Sequence, residues 1–176
     1  MSLRLVDAPQ LDTARLTLRV PQIADFEPFA AFAASERSRF VRPADYDRAK
    51  AWRGFGHMVG HWLLRGFGLF AVVERASGRT IGMVGPWFPE GWPEHEIGWT
   101  LYDGAEGKGY AFEAAKAARA WAFAALGWPT AVSYIDPANH RSIALAERLG
   151  AQRDPAAGHP GETPVLVFRH PRPEVL

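Results

Sequence analysis

Glu94 and Glu96 stand two apart in a stretch, Glu94 to Leu101, that reads as a strand. Strand geometry puts Glu94, Glu96, Gly98 and Thr100 on one side and His95, Ile97, Trp99 and Leu101 on the other. A carboxylate partly desolvated among aromatic side chains has a raised pKa and can act as a general base. The same pair also fits the solvated face of an edge strand. Asn139 and Ser142 lie one helical turn apart where a helix opens after Pro137, and Asn139 fits a plain N-cap equally well. Glu106-Gly107-Lys108-Gly109-Tyr110-Ala111 has glycines at alternate positions ahead of a helical stretch. Such a turn exposes backbone N–H groups beside the positive end of a helix, which is how proteins cradle phosphates. An ordinary strand-to-helix connection is the other account of it. His57 and His61 are four apart, the spacing of two metal ligands on one helical face, but no third ligand stands nearby and packed or solvated histidines are expected.

The elements that must position these groups follow from periodicity. Leu16, Leu18 and Val20 alternate with Arg15, Thr17 and Arg19 and predict a half-buried strand ended by Pro21. Phe26, Phe29, Ala30 and Ala33 share one face of a helix from Ala24 to about Ser35. A looser segment runs through Pro43, and Asp45 is expected to cap a second helix carrying Ala49, Trp52, Phe55 and Val59. Gly54, Gly56 and Gly60 cost that helix up to ~1 kcal/mol each, so a break is expected there. Leu69 to Glu74 and Thr80 to Trp87 predict a hairpin around Ala76 to Arg79. Pro86 to Pro93 is a loop rich in tryptophan and proline. Tyr110 to Leu126 reads as a helix with an alanine stripe (Ala111, Ala114, Ala115, Ala118, Ala122, Ala125), stopped by Gly127 and Pro129. Thr130 to Ile135, a helix from Asn139 to Leu149, and a strand from Pro164 to Arg169 complete the chain. Strands alternate with helices but also come as a hairpin run, so the expected class is mixed α/β.

Composition excludes several functions. The 176 residues fit one domain, 48% hydrophobic and 22% charged, with a net charge of +1 that gives no electrostatic case for nucleic acid or an anionic membrane. There is no cysteine, hence no disulfide, thiolate metal site or cysteine nucleophile. Met1 to Gln10 holds no signal-type apolar run, and no segment approaches the ~18 apolar residues of a membrane span, so a soluble, cytoplasmic protein is expected. Gly107-Lys108 is followed by Gly109, which rules out a P-loop, and no G-x-S-x-G or H-E-x-x-H sequence occurs.

In order and spacing, the strand Glu96 to Leu101, the turn Glu106 to Ala111, and Asn139-His140-Arg141-Ser142 opening a helix that closes Glu147-Arg148-Leu149-Gly150 resemble the GNAT (GCN5-related N-acetyltransferase) superfamily, within it the Rim-type branch of ribosomal-protein alanine N-acetyltransferases. The resemblance runs from Arg15 through Phe168 and treats residues 1–176 as a single N-acetyltransferase domain. It implies a strongly twisted mixed sheet of six or seven strands flanked by about four helices. It implies acetyl-CoA as the acetyl donor, its arm lying along Trp99, Thr100 and Leu101, its pyrophosphate on Gly107, Lys108, Gly109, Tyr110 and Ala111, and its arm also bonded by Asn139. Glu96 matches the family's base and Ser142 the acid that protonates the departing thiolate, with Tyr134 or water as fallbacks. No metal is implied. The acceptor is a primary amine, of a protein N-terminus or of a small molecule, with Trp52, Trp87 and Trp92 (and Phe88 and Trp62) expected around it; the same tryptophans also fit a core or an oligomer contact. A homodimer is compatible with the reading. Two positions depart from the family: Glu106 stands where arginine or glutamine is usual, and Ala146 stands where many relatives carry tyrosine. The first departure favours a rival account, a non-catalytic acyl-CoA-binding sensor or scaffold. Transfer of a longer acyl group is a further alternative.

Overall fold

Leu16 and Leu18 are fully buried while the alternating Thr17 and Arg19 are not, as the period-two pattern predicts. The computed structural model describes residues 8–42 and 45–172. The N-terminal stretch and Pro43, where the looser segment was expected to end, therefore lie partly or wholly outside it. Among the described residues eight strands are present: β1 (Leu11–Asp12), β2 (Leu16–Arg19), β3 (Phe70–Glu74), β4 (Thr80–Trp87), β5 (Glu96–Leu101), β6 (Val132–Ile135), β7 (Gln152–Arg153) and β8 (Leu166–Arg169). They form one sheet in the order β1-β2-β3-β4-β5-β6-β8-β7, antiparallel except for β5 against β6. The count exceeds the expected six or seven because β1 and β7 are two-residue strands, too short to leave a periodic signal. Among the described residues four α-helices accompany the sheet: α1 (Phe26–Ala33), α2 (Arg48–Arg65), α3 (Tyr110–Ala125) and α4 (His140–Arg148).

The two sheet faces carry separate cores. Phe70, Val72 and Val84 meet Ala114, Ala115 and Ala118 of α3 on one face. Ala71 and Met83 meet Phe29, Phe55 and Met58 of α1 and α2 on the other. The alanine stripe lets α3 lie close on the sheet, with Ala114, Ala115, Ala118 and Ala122 fully buried. Gly82 has the same meaning in β4, since a Cβ there would run into the Thr100 carbonyl of β5.

Two expectations need correction. The cap of α2 is Asp47, whose carboxylate accepts from Lys50 N at 2.7 Å from an extended backbone (φ −72°, ψ 174°); Asp45 instead pairs with the Lys50 side chain. And α2 is not broken. Its 18 residues run on because Phe55, Met58 and Trp62 anchor one face in the core, and packing overrides the weak propensity of its glycines. In addition β5 begins at Glu96 rather than Glu94. Among the described residues no helix is long and apolar enough to cross a membrane.

Candidate active site

A parallel pair of strands that stays parallel hydrogen-bonds along its length. Here β5 and β6 share a single register pair, Glu96 with Val132, whereas β4 and β5 stay paired for six residues. Beyond Glu96 the two strands part. The gap between them opens into a cleft of about 510 Å³ bounded by Glu96, Gly98, Trp99 and Thr100 from β5, by Ser133 to Ile135 from β6, and by Asn139 and Ser142 of α4. It continues to the α1–α2 side of the sheet, reaching Arg42, Tyr46 and His57.

Glu96 stands where the strands separate. Burial pushes its carboxyl up to about 7, against the opposing pull of the Trp92 indole N–H, which donates to Oε2 at 2.7 Å, and of the Tyr134 backbone. A carboxyl in that state is half ionised near neutrality and can take up a proton. Glu94, read as its strand companion, serves the fold instead. It lies ahead of β5 and holds Arg169 of β8 with two bonds of 2.7 and 2.9 Å.

Asn139 is the N-cap of α4, its Oδ1 accepting from Ser142 N at 3.2 Å, so its amide N–H2 is left to donate elsewhere. The Ser142 hydroxyl oxygen accepts from the Trp99 indole N–H at 3.1 Å, which leaves the hydroxyl proton to donate. Thus Trp99 ties β5 to α4 across the gap. Tyr134 also lines the cleft, its hydroxyl buried without a partner among the described residues and its pKa pushed by burial up to about 12, so it stays protonated.

At the far end of β5 the turn takes the shape its glycines predict. Gly107 (φ 73°) and Gly109 (φ 81°) are left-handed, a conformation that disfavours any side chain. Gly109 is the N-cap of α3 and no side chain caps the helix, so its first-turn N–H groups remain open. Arg15 braces this corner, bonding the Lys108 carbonyl at 2.9 Å and Glu113 at 2.7 Å. Tyr110 turns inward to Glu74. Glu106, which departs from the family at this turn, is neutralised by Arg37, with Arg141 a further 3.5 Å neighbour.

The remaining predicted residues divide. Trp87 and Trp92 line the cleft. Trp52 does not: it is 53% exposed and stands edge-on against Phe26 on the outer side of α2. Trp62 belongs to the core, its indole bonded to the Leu69 carbonyl at 3.0 Å. Leu101 packs into the α3-side core and offers its carbonyl to Arg37. His61 has both ring nitrogens engaged, Nδ1 with the Phe67 carbonyl at 2.6 Å and Nε2 with Phe88 N–H at 3.2 Å, which removes it as a ligand. No group of three metal-ligating side chains occurs among the described residues. Ser133 and His170 are adjacent at 2.9 Å, but the serine gives its proton to the Ile97 carbonyl at 2.6 Å, so the pair is structural. Sequence reasoning missed Arg42, because an arginine in an irregular segment carries no periodic or motif signal.

Comparison with known proteins agrees with this geometry. A family model described as an acetyltransferase (GNAT) domain matches residues 15–152. An acetyltransferase from Agrobacterium tumefaciens is 41% identical, with a TM-score of 0.88 over 98% of this chain and 99% of that one. A Vibrio cholerae protein provisionally described as a ribosomal-protein-serine acetyltransferase is 26% identical, with a TM-score of 0.73 over 92% of this chain and 97% of its own. The ribosomal-protein-S5-alanine acetyltransferase of Vibrio fischeri shares the fold at 15% identity, with a TM-score of 0.68 over 92% of this chain and 95% of its own. This chain therefore belongs to the GNAT acetyltransferase family, with ribosomal-protein acetyltransferases among its structural neighbours.

Proposed function

We propose that the protein transfers an acetyl group from acetyl-CoA to a primary amine, directly and without a covalent enzyme intermediate. The observation that carries this reading is Glu96, a carboxyl poised near pH 7 at the point where β5 and β6 part. The residues at hand fit the donor. Open N–H groups at the start of α3, behind two left-handed glycines, suit a pyrophosphate held by Gly107, Lys108, Gly109, Tyr110 and Ala111. Asn139 has a free amide donor for the arm, alongside the backbone of Trp99, Thr100 and Leu101. Acetyl-CoA, when bound, supplies the activated thioester.

The chain's own groups then manage protons and position. Glu96 accepts the proton that the amine loses as the new N–C bond forms, either directly or through water. Ser142 donates its hydroxyl proton to the sulfur as the C–S bond breaks, its oxygen held by Trp99, and is reprotonated through water as Glu96 gives up the proton it took from the amine. β5 N–H groups polarise the acetyl carbonyl. Trp87 and Trp92 wall the acceptor, and Trp52 stands at a greater remove. The acceptor is a protein N-terminal α-amine or a small amine. An α-amine, with a pKa near 8, loses its proton more readily than a lysine near 10.4. The reading places the protein in the cytoplasm as a single domain. Pairing of Glu106 with Arg37 weakens the one feature that favoured a non-catalytic acyl-CoA sensor.

The test is thiol release from acetyl-CoA with a panel of peptides and small amines, using wild type, Glu96→Gln and Ser142→Ala. The reading expects transfer by wild type and at least a tenfold loss of kcat in each variant with acetyl-CoA affinity retained. Wild-type turnover with neither variant impaired would contradict the residue roles.

A further inference from the structure

Arg42 stands out among the cleft residues. It is the one lysine or arginine among the described residues lining the cleft. Its guanidinium lies over the Phe29 and Tyr46 rings, 5.1 and 4.9 Å from their centroids. Its Nε is buried with no hydrogen-bond partner among the described residues, and burial pulls its pKa down. The carboxylates that share the cleft are engaged elsewhere: Glu90 with Arg65, Asp136 with the Ala138 N–H, and Glu96 with Trp92. Neighbouring His57 has its pKa lowered by burial and then by His61 and Arg42, which keeps it neutral near pH 7. The Nε–H is therefore a buried donor without a partner beside a space that holds no matching anion. Leaving such donors unpaired is costly, and planar carboxylates satisfy them two bonds at a time. A doubly charged phosphate is a poorer match, because a single cation would leave one negative charge desolvated.

Resting on the transferase reading, we infer that Arg42 recognises the acceptor, and that the acceptor carries a carboxylate in addition to the amine presented to Glu96. The aromatic rings beneath the guanidinium fix its plane, so that the carboxylate is anchored on the α1–α2 side while the amine points to the strand gap. Two sources share this chemistry, a free amino acid and a peptide whose N-terminal residue is acidic.

The experiment measures kcat/KM with acetyl-CoA for free α-amino acids and their carboxamides, and for peptides beginning with Asp or Glu against those beginning with Asn or Gln. Wild type, Arg42→Met and Arg42→Lys are compared. The acid-to-amide ratio is internal to each variant, so a partial folding defect cancels. A charge-assisted bond to a buried cation corresponds to a ratio of about 10- to 100-fold in wild type. It should fall to about one in Arg42→Met and be partly retained in Arg42→Lys, with the change in KM. Preference confined to the amino acids or to the peptides identifies the source. Equal use of acid and amide forms by wild type overturns the inference and leaves the transferase standing. A ratio that survives Arg42→Met also overturns it. If no acceptor is used although acetyl-CoA binds, the transferase reading itself fails.

Discussion

Replacing Glu96 by glutamine should make the protein more stable while making it a worse enzyme, and the size of the gain should depend on pH. Burial lifts the carboxyl from an ordinary 4.5 to about 7. The folded chain therefore holds this proton at pH values where the unfolded chain has released it, and stability contributed by the group is lost as pH rises from about 4.5 to about 7. At roughly 1.4 kcal/mol per pK unit, the full cost of the ionised form is about 3 kcal/mol above pH 7, falling to about 1 kcal/mol at pH 5. Glutamine keeps the shape and an acceptor oxygen for the Trp92 indole but never ionises. Urea unfolding of wild type and Glu96→Gln at pH 5 and pH 8 should thus show the variant's advantage growing by about 2 kcal/mol between the two. All other titrating groups are common to both proteins and cancel. In parallel, the wild-type kcat/KM should rise with pH through about 7, and that limb should disappear in the variant. A stability difference that is the same at both pH values would show that Glu96 is ordinarily solvated, and would remove the reason to regard it as the base.

Further outcomes follow from the same geometry. Gly109→Val forces a branched side chain into a left-handed position 3.4 Å from Arg15 Nη2, and calorimetry should show acetyl-CoA binding weakened at least tenfold in a protein that still folds. Arg37→Ala should weaken acetyl-CoA several-fold by exposing the Glu106 charge, and adding Glu106→Gln should restore it; an additive double variant would disconnect the pair from the donor site. Gly56→Ala meets no neighbouring atom and should raise stability by about 0.5–1 kcal/mol, read by the urea midpoint.

Long, periodic elements were legible in the sequence. The alanine stripe of α3, the β3–β4 hairpin and the alternation in β2 each carry their burial pattern in residue type. So does the glycine turn, because a left-handed backbone favours one residue. What was hidden depends on who meets whom across the fold. Nothing local distinguishes Glu94, bound to Arg169 seventy-five positions away, from Glu96 in its desolvated niche. Glu106 looked like an electrostatic defect because its partner, Arg37, lies in a distant irregular segment. Trp52, Trp62, Trp87 and Trp92 have the same side chain, yet one is exposed, one is core and two line the cleft, a division that only tertiary packing decides. Asp47 displaced Asp45 as the cap by two residues, a margin that composition does not resolve.

The most direct test of the account is calorimetric titration of the protein with acetyl-CoA, with CoA, NAD and ATP as comparisons. Selective binding of acetyl-CoA and CoA is expected, weakened by Gly109→Val and preserved in Glu96→Gln. No binding of acetyl-CoA, or binding no tighter than that of NAD and ATP, would contradict it and withdraw the roles given to the glycine turn, Asn139 and Ser142.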